Sequence, residues 1–85
     1  MFSILWKRKA QKQLLKISHT DTQEAIAQAV DALKAFPNVQ QVKALTHHQY
    51  GYRLRVGNYR VLFNTDTVVK IIAIEEVKKR DDHTY

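Results

Sequence analysis

The chain has 85 residues, 14 Lys+Arg against 8 Asp+Glu, 45% apolar residues and no cysteine. That length suits a single domain, residues 1–85, because one core usually serves about 100–200 residues, and the apolar fraction is that of a globular chain rather than a disordered one. The missing cysteines exclude disulfides and cysteine-ligated zinc or iron–sulfur centres, and no apolar run approaches the ~18 residues of a membrane span. The N-terminus lacks the pattern of a signal peptide, so a cytoplasmic location with no membrane partner is expected. A formal net charge of +6 points to an acidic partner, either nucleic acid or an acidic protein chain.

Met1 to Leu5 is short and apolar, with Phe2 and Ile4 alternating against Ser3, and reads as a first strand. From Trp6 the period becomes helical, with Ala10, Leu14 and Ile17 on one side and Trp6 packing at the helix start. This segment carries Lys7, Arg8, Lys9, Lys12 and Lys16 and no acid; such a face is either a grip on polyanions or simply solvated. Ser18–His19–Thr20 breaks the helix. Asp21 and Glu24 then have capping-box spacing ahead of Ala25, Ile26, Ala29, Val30, Leu33 and Phe36, a second helix that Pro37 ends. The short link predicts an antiparallel helix pair.

Past residue 50 the period falls to two. Tyr52, Leu54 and Val56 alternate with Arg53 and Arg55, and after Gly57–Asn58 the apolar Tyr59, Val61 and Phe63 alternate with Arg60 and Leu62. A glycine-containing pair between alternating runs predicts a tight hairpin, because such turns need positive φ. Asn64 to Thr67 reads as a second turn, and Val68 to Val77 as a third strand rich enough in β-branched residues to be internal to the sheet. The order predicts an α+β domain, with a short N-terminal strand and an antiparallel helix pair. A three-stranded antiparallel meander completes it, forming one twisted sheet packed on the helices.

The hairpin register has a chemical consequence. A two-residue loop sets Val56 opposite Tyr59, Arg55 opposite Arg60, Leu54 opposite Val61 and Arg53 opposite Leu62, and facing residues share a side of the sheet. Tyr52, Leu54, Val56, Tyr59, Val61 and Phe63 then form one apolar face, and Arg53, Arg55 and Arg60 collect on the other with no acid between 53 and 62. Two guanidiniums directly across a strand pair repel, so an anion-binding face is expected, the alternative being a face that is simply polar and tolerates arginine. Arginine suits phosphate because its planar fork donates two hydrogen bonds and stays charged at any working pH.

The run VKALTHHQYGYRLRVGNYRVLF (Val42 to Phe63) resembles the signature of the RelE/ParE toxin superfamily, and the tail KKRDDHTY (Lys78 to Tyr85) is similar to that of RelE-type members. The resemblance covers nearly the whole chain and implies a RelE-like fold and a toxin of a type II toxin–antitoxin pair. RelE-type members cleave mRNA in the ribosomal A site, without a metal, by in-line attack of the 2′-hydroxyl. ParE-type members instead inhibit DNA gyrase without catalysis, and they share the RxRxGxxR hairpin. The tail favours the nuclease. The resemblance also implies a cognate antitoxin laying an acidic amphipathic segment over the basic surface, with ribosome and mRNA as the other partners; no cofactor is expected, and no metal, because no third ligand has convincing spacing.

In that reading Arg60 contacts the scissile phosphate, Arg53 and Arg55 stand where relatives carry lysines, Arg80 matches the tail arginine, and Tyr85 resembles the tyrosine that stacks on a substrate base. Lys7, Arg8, Lys9, Lys12, Lys16, Lys78 and Lys79 are the candidate RNA- or ribosome-binding residues. Arginine is too basic to take a proton at neutral pH, so His83, which titrates near neutrality, is the candidate for proton transfer, its alternative being an exposed residue without a role. His47 and His48 read as solvated loop residues. Asp81 and Asp82 are expected to pair with Arg80 or Lys79 and hold the tail, with their carboxylates turned away from RNA.

Overall fold

The computed structural model describes residues 1–80; the expectations placed on Asp81, Asp82, His83 and Tyr85 lie outside the described residues. The chain begins with β1 (Ser3–Trp6), followed by helices α1 (Arg8–Leu15) and α2 (Thr20–Asp31), and α2 runs into a 3-10 turn (Ala32–Ala35) just before Pro37. Four strands follow: β2 (Val42–Ala44), β3 (Tyr52–Val56), β4 (Tyr59–Asp66) and β5 (Ile71–Lys79). All five strands form one mixed sheet in the order β1-β5-β4-β3-β2, in which β1 runs parallel to β5 and the other pairs are antiparallel. This is the expected α+β class with one additional strand. The three residues of β2 carry no alternating signature of their own; they become a strand because β3 offers an unpaired edge, with Lys43 opposite Arg53.

The apolar pattern lays out the core as expected. Leu54, Val61 and Phe63 of the hairpin meet Ile72, Ile74 and Val77 of β5, and Ile26, Val30, Leu33 and Ala10 of the helical layer close over them. Phe36 reaches three rings edge-on, Phe2 at 5.6 Å, Tyr52 at 5.1 Å and Phe63 at 6.1 Å, while Tyr52 stacks on Phe63 at 5.4 Å. Edge-to-face and stacked rings add to area burial, which suits a domain with little interior to spare. Both helices pack on the sheet, α1 along β5 and α2 over β3. Where β1 ends, α1 takes over the flank of β5: the Val77 N–H donates to Gln13 Oε1 at 2.7 Å, a side chain standing in for a missing strand.

Four local expectations need correction. Trp6 is the last residue of β1 rather than part of the helix, and it lines a shallow groove with Gln11, Leu14 and Leu15 of α1. The second helix starts at Thr20 with His19 as N-cap and no side-chain cap bond, so Asp21 and Glu24 form no capping box; Asp21 instead sits in the first turn, where the helix dipole favours an acid. The second turn of the meander falls after Asp66, not at Asn64, because the Asp66 carboxylate accepts the Val68 and Val69 N–H groups at 3.0 and 3.2 Å. Val68 and Val69 are consequently exposed, at 89% and 59%, and the last strand runs from Ile71 to Lys79 instead of Val68 to Val77.

The fifth feature was not anticipated. A register shift between Leu62 and Phe63 makes Glu75 an extra residue in β5, with Phe63 opposite Ile74 but Leu62 opposite Glu76. The apolar positions accordingly change spacing, from Ile72 and Ile74 to Val77. A bulge of this kind turns the following side chains over to the other face. Here it delivers Glu76 and Lys78 to the arginine side of the sheet.

Candidate anion-binding site

The hairpin forms with the anticipated register, Arg55 opposite Arg60 and Arg53 opposite Leu62. Gly57 holds the turn at φ 56°, a left-handed conformation that favours glycine. Across the sheet the pairing continues in two rows on the outer face, Lys43–Arg53–Leu62–Glu76 and Arg55–Arg60–Lys78. The Arg80 N–H donates to the Asn58 carbonyl, which ties the beginning of the tail to the hairpin turn. As a result Arg53, Arg55, Arg60 and Arg80 line one cleft of about 60 Å³. On that measure a single water needs roughly 10–15 Å³, so the cleft has room for a small anionic group such as a phosphate among the guanidiniums. The Arg53 Nε is buried and has no hydrogen-bond partner among the described residues. A buried guanidinium donor of this kind can be satisfied by a water or an anion entering the cleft.

Tyr59 also borders the cleft. Its register opposite Val56 assigns it to the apolar face, and it packs against the core there. Lys78 shares the outer row with Arg60, whereas Lys79 pairs with Tyr59 and so points from the opposite face. Lys7, Arg8, Lys12 and Lys16 do not line the cleft; Lys12 lies in the last turn of α1 and Lys16 is its C-cap, where cations complement the helix dipole. His47 and His48 are exposed, as expected of solvated loop residues, and His48 also accepts the Tyr50 N–H through Nδ1 at 3.0 Å, with its ring 6.0 Å from that of Tyr50.

Two contributors escaped the sequence reading. Glu76 is 5% exposed and lies on the cationic face, the one buried charged residue among those described. Its Oε1 meets Lys9 Nζ at 3.4 Å and Lys78 Nζ at 3.9 Å. Burial opposes its ionisation, but hydrogen bonding from the Tyr50 hydroxyl and the charges of Lys78 and Lys9 outweigh it and hold the carboxyl below its ordinary range. Tyr50 responds in the opposite sense, its phenol raised by desolvation and by the neighbouring Glu76. The Gly51 N–H donates to Asn64 Oδ1 at 2.7 Å, so the end of the 45–51 loop lies on this face, where Leu62 is also buried. The signal for Glu76 was the change of apolar spacing in β5, which reveals the bulge.

The sequence profile of the ParE toxin of type II toxin–antitoxin systems, parDE, matches residues 4–80. The chain belongs to this toxin family, within the RelE/ParE superfamily. No curated protein matches the toxin in sequence. Among solved structures it is similar to the archaeal RelE–RelB complex from Pyrococcus horikoshii OT3, at 22% identity and TM-score 0.80 over 95% of this chain and 97% of that one. The RelBE2 toxin–antitoxin complex from Mycobacterium tuberculosis is similar at 21% identity, TM-score 0.79, over 93% and 98%. The isolated Escherichia coli RelE toxin is similar at 13% identity, TM-score 0.80, over 99% and 89%. These likenesses establish that the toxin has the RelE-like fold. No helix among the described residues is long and apolar enough to cross a membrane.

Proposed function

We propose that the toxin cleaves mRNA on the ribosome, using the four-arginine cleft to hold the scissile phosphate. The observation that carries this reading is the convergence of Arg53, Arg55, Arg60 and Arg80 on one cleft, with a buried guanidinium nitrogen, Arg53 Nε, that has no hydrogen-bond partner among the described residues. In the reaction the 2′-oxygen attacks the adjacent phosphorus in line, the bond to the 5′-oxygen breaks, and charge gathers on the non-bridging oxygens. Arginine forks stabilise that charge most strongly where water is excluded. They cannot accept the 2′-proton, so the proton steps belong to another group, for which His83 is the candidate, and Tyr85 is the candidate base-stacking platform. The lysines of α1 provide further charge for ribosomal RNA.

The partner in this reading is a cognate antitoxin with an acidic amphipathic segment, which would neutralise the cluster and stabilise the toxin by binding it. Two of the similar structures are complexes of RelE with RelB or of a RelBE pair, which supports such a partner. A second reading, non-catalytic inhibition of DNA gyrase, has its own support in the match to the ParE profile. Induced expression in cells separates them. Ribosome-dependent cleavage predicts arrested protein synthesis with new 5′-ends inside coding sequences; intact mRNA with stabilised gyrase–DNA cleavage complexes would reverse the choice.

A further inference from the structure

We propose that Glu76 is a positioning residue that fixes Lys9 and Lys78 as a second phosphate subsite beside the arginine cleft; this rests on the reading of that cleft as an RNA phosphate site. Three elements converge on this one carboxylate: Lys9 from the start of α1, Lys78 from β5 and Tyr50 from the loop before β3. The carboxylate is covered while the ammonium groups are not. Side-chain exposure is 7% for Glu76 but 62% for Lys9 and 58% for Lys78. An ammonium has three donors, and the contact with Glu76 leaves donors on each lysine free to meet an incoming anion.

The location fits a polyanion better than an isolated ion. Lys78 stands directly opposite Arg60 in the next strand, so the lysine pair continues the outer row that begins with Arg55 and Arg60. Adjacent strands are about 4.8 Å apart, so the lysine pair and the arginine cleft lie side by side on one face, where long side chains can reach successive phosphates of one strand. Both ammonium groups approach the same oxygen, Oε1, and this common anchor keeps them close enough to share one phosphate. Without it, two mutually repelling lysines on flexible stems would spread into solvent and lose side-chain entropy on binding. Glu76 thus organises cations that its negative charge would otherwise only weaken.

That opposition makes the test sharp. Coulomb attraction alone says that Glu76→Gln, which removes a negative charge from an anion-binding face, tightens RNA binding. Positioning says that it weakens binding. The probe is a single-stranded RNA oligonucleotide with 2′-O-methyl groups, which cannot be cleaved, titrated with salt against purified toxin, Glu76→Gln, Lys9→Ala/Lys78→Ala and the combined triple variant. We expect Glu76→Gln to bind roughly three- to tenfold more weakly, with a salt slope smaller by about 0.7, one single-strand phosphate. The triple variant should bind no more weakly than Lys9→Ala/Lys78→Ala, as required if Glu76 acts through the lysines. Tighter binding by Glu76→Gln, or a further loss in the triple variant, overturns the proposal. Should Glu76→Gln not fold, the unsubstituted protein decides: the Lys9 and Lys78 side-chain NMR signals must shift in step with those of Arg53 and Arg60 as the oligonucleotide is added. Shifts at the arginines alone overturn the lysine subsite; no shift at the arginines overturns the phosphate reading of the cleft, and the subsite with it.

Discussion

Replacing Arg55 by glutamate should stabilise the toxin while disarming it. Arg55 is exposed and stands opposite Arg60 in a cleft with Arg53 and Arg80, so its guanidinium adds like charge to like charge while burying little apolar surface. Its backbone N–H, which bonds to the Gln41 carbonyl at 3.0 Å, is untouched by the change. Cross-strand charge pairs are worth about 0.2–1 kcal/mol in either direction, and Arg55→Glu reverses the sign, so the expected gain is about 1 kcal/mol. For a domain of this size that raises the melting temperature by about 4–8 °C. Thermal unfolding followed by circular dichroism at low salt measures it directly. The gain should shrink at about 1 M salt, where the Debye length falls to about 3 Å, and RNA binding should be lost at every salt concentration. An unchanged or lower melting temperature at low salt, or a gain indifferent to salt, refutes the claim that this face sacrifices stability for anion binding.

The aromatic cluster yields a stability prediction. Phe63 is fully buried between Tyr52 and Phe36, so Phe63→Ala should cost about 3–5 kcal/mol. At about 0.05–0.15 kcal/mol per residue a domain of this size has about 4–13 kcal/mol in all, so urea titration should find the midpoint of the variant far below that of the parent. Glu76 makes stability depend on acid. Lys9 of α1, Lys78 and Glu75 of β5, Tyr50 of the loop and, in its register row, Arg53 of β3 surround it, and its native pKa lies below the ordinary 4.5. Its contribution is therefore full above that value and lost as pH falls through the native one. Urea unfolding across pH should show this acid limb, and Glu76→Gln should lack it; a limb of the same size in the variant contradicts the network. Tyr50 has the opposite sign. Its native pKa lies above 10.0, so its contribution is present below that pH and fades as pH rises through the native value, a trend that Tyr50→Phe should remove.

Much of the site could be read from the sequence because a two-residue turn leaves no freedom of register. Once Gly57–Asn58 is placed, every partner from Tyr52 to Phe63 follows, and Arg55 must face Arg60. Arg80 was less accessible to such reasoning, since its position depends on a backbone bond to Asn58 made after the chain has crossed the sheet. The errors share a cause. Val68 and Val69 have strand-forming side chains, yet the Asp66 carboxylate binds their N–H groups and turns the chain; β-propensity reflects packing on a pleated surface more than a commitment of the backbone. Strand β2 exists only through its neighbour. Glu76 was hidden by a single extra residue, because unbroken alternation would assign it to the face of Ile72 and Ile74, whereas the bulge turns it towards the arginines. The sequence places no acid on this face between 53 and 62, and the structure adds to it, from β5, one buried carboxylate gathering the flanking lysines.

The central claim is that the four-arginine cleft performs chemistry on an RNA phosphate, and cleavage by purified toxin on ribosomes programmed with a defined mRNA tests it most directly. Toxin should cut the mRNA only when ribosomes are present and without added divalent metal beyond what the ribosome itself needs. Arg60→Ala and Arg80→Ala, folded to the same melting profile as the parent, should leave it intact. Full cutting by both variants, or uncut mRNA alongside inhibited gyrase, would contradict the account.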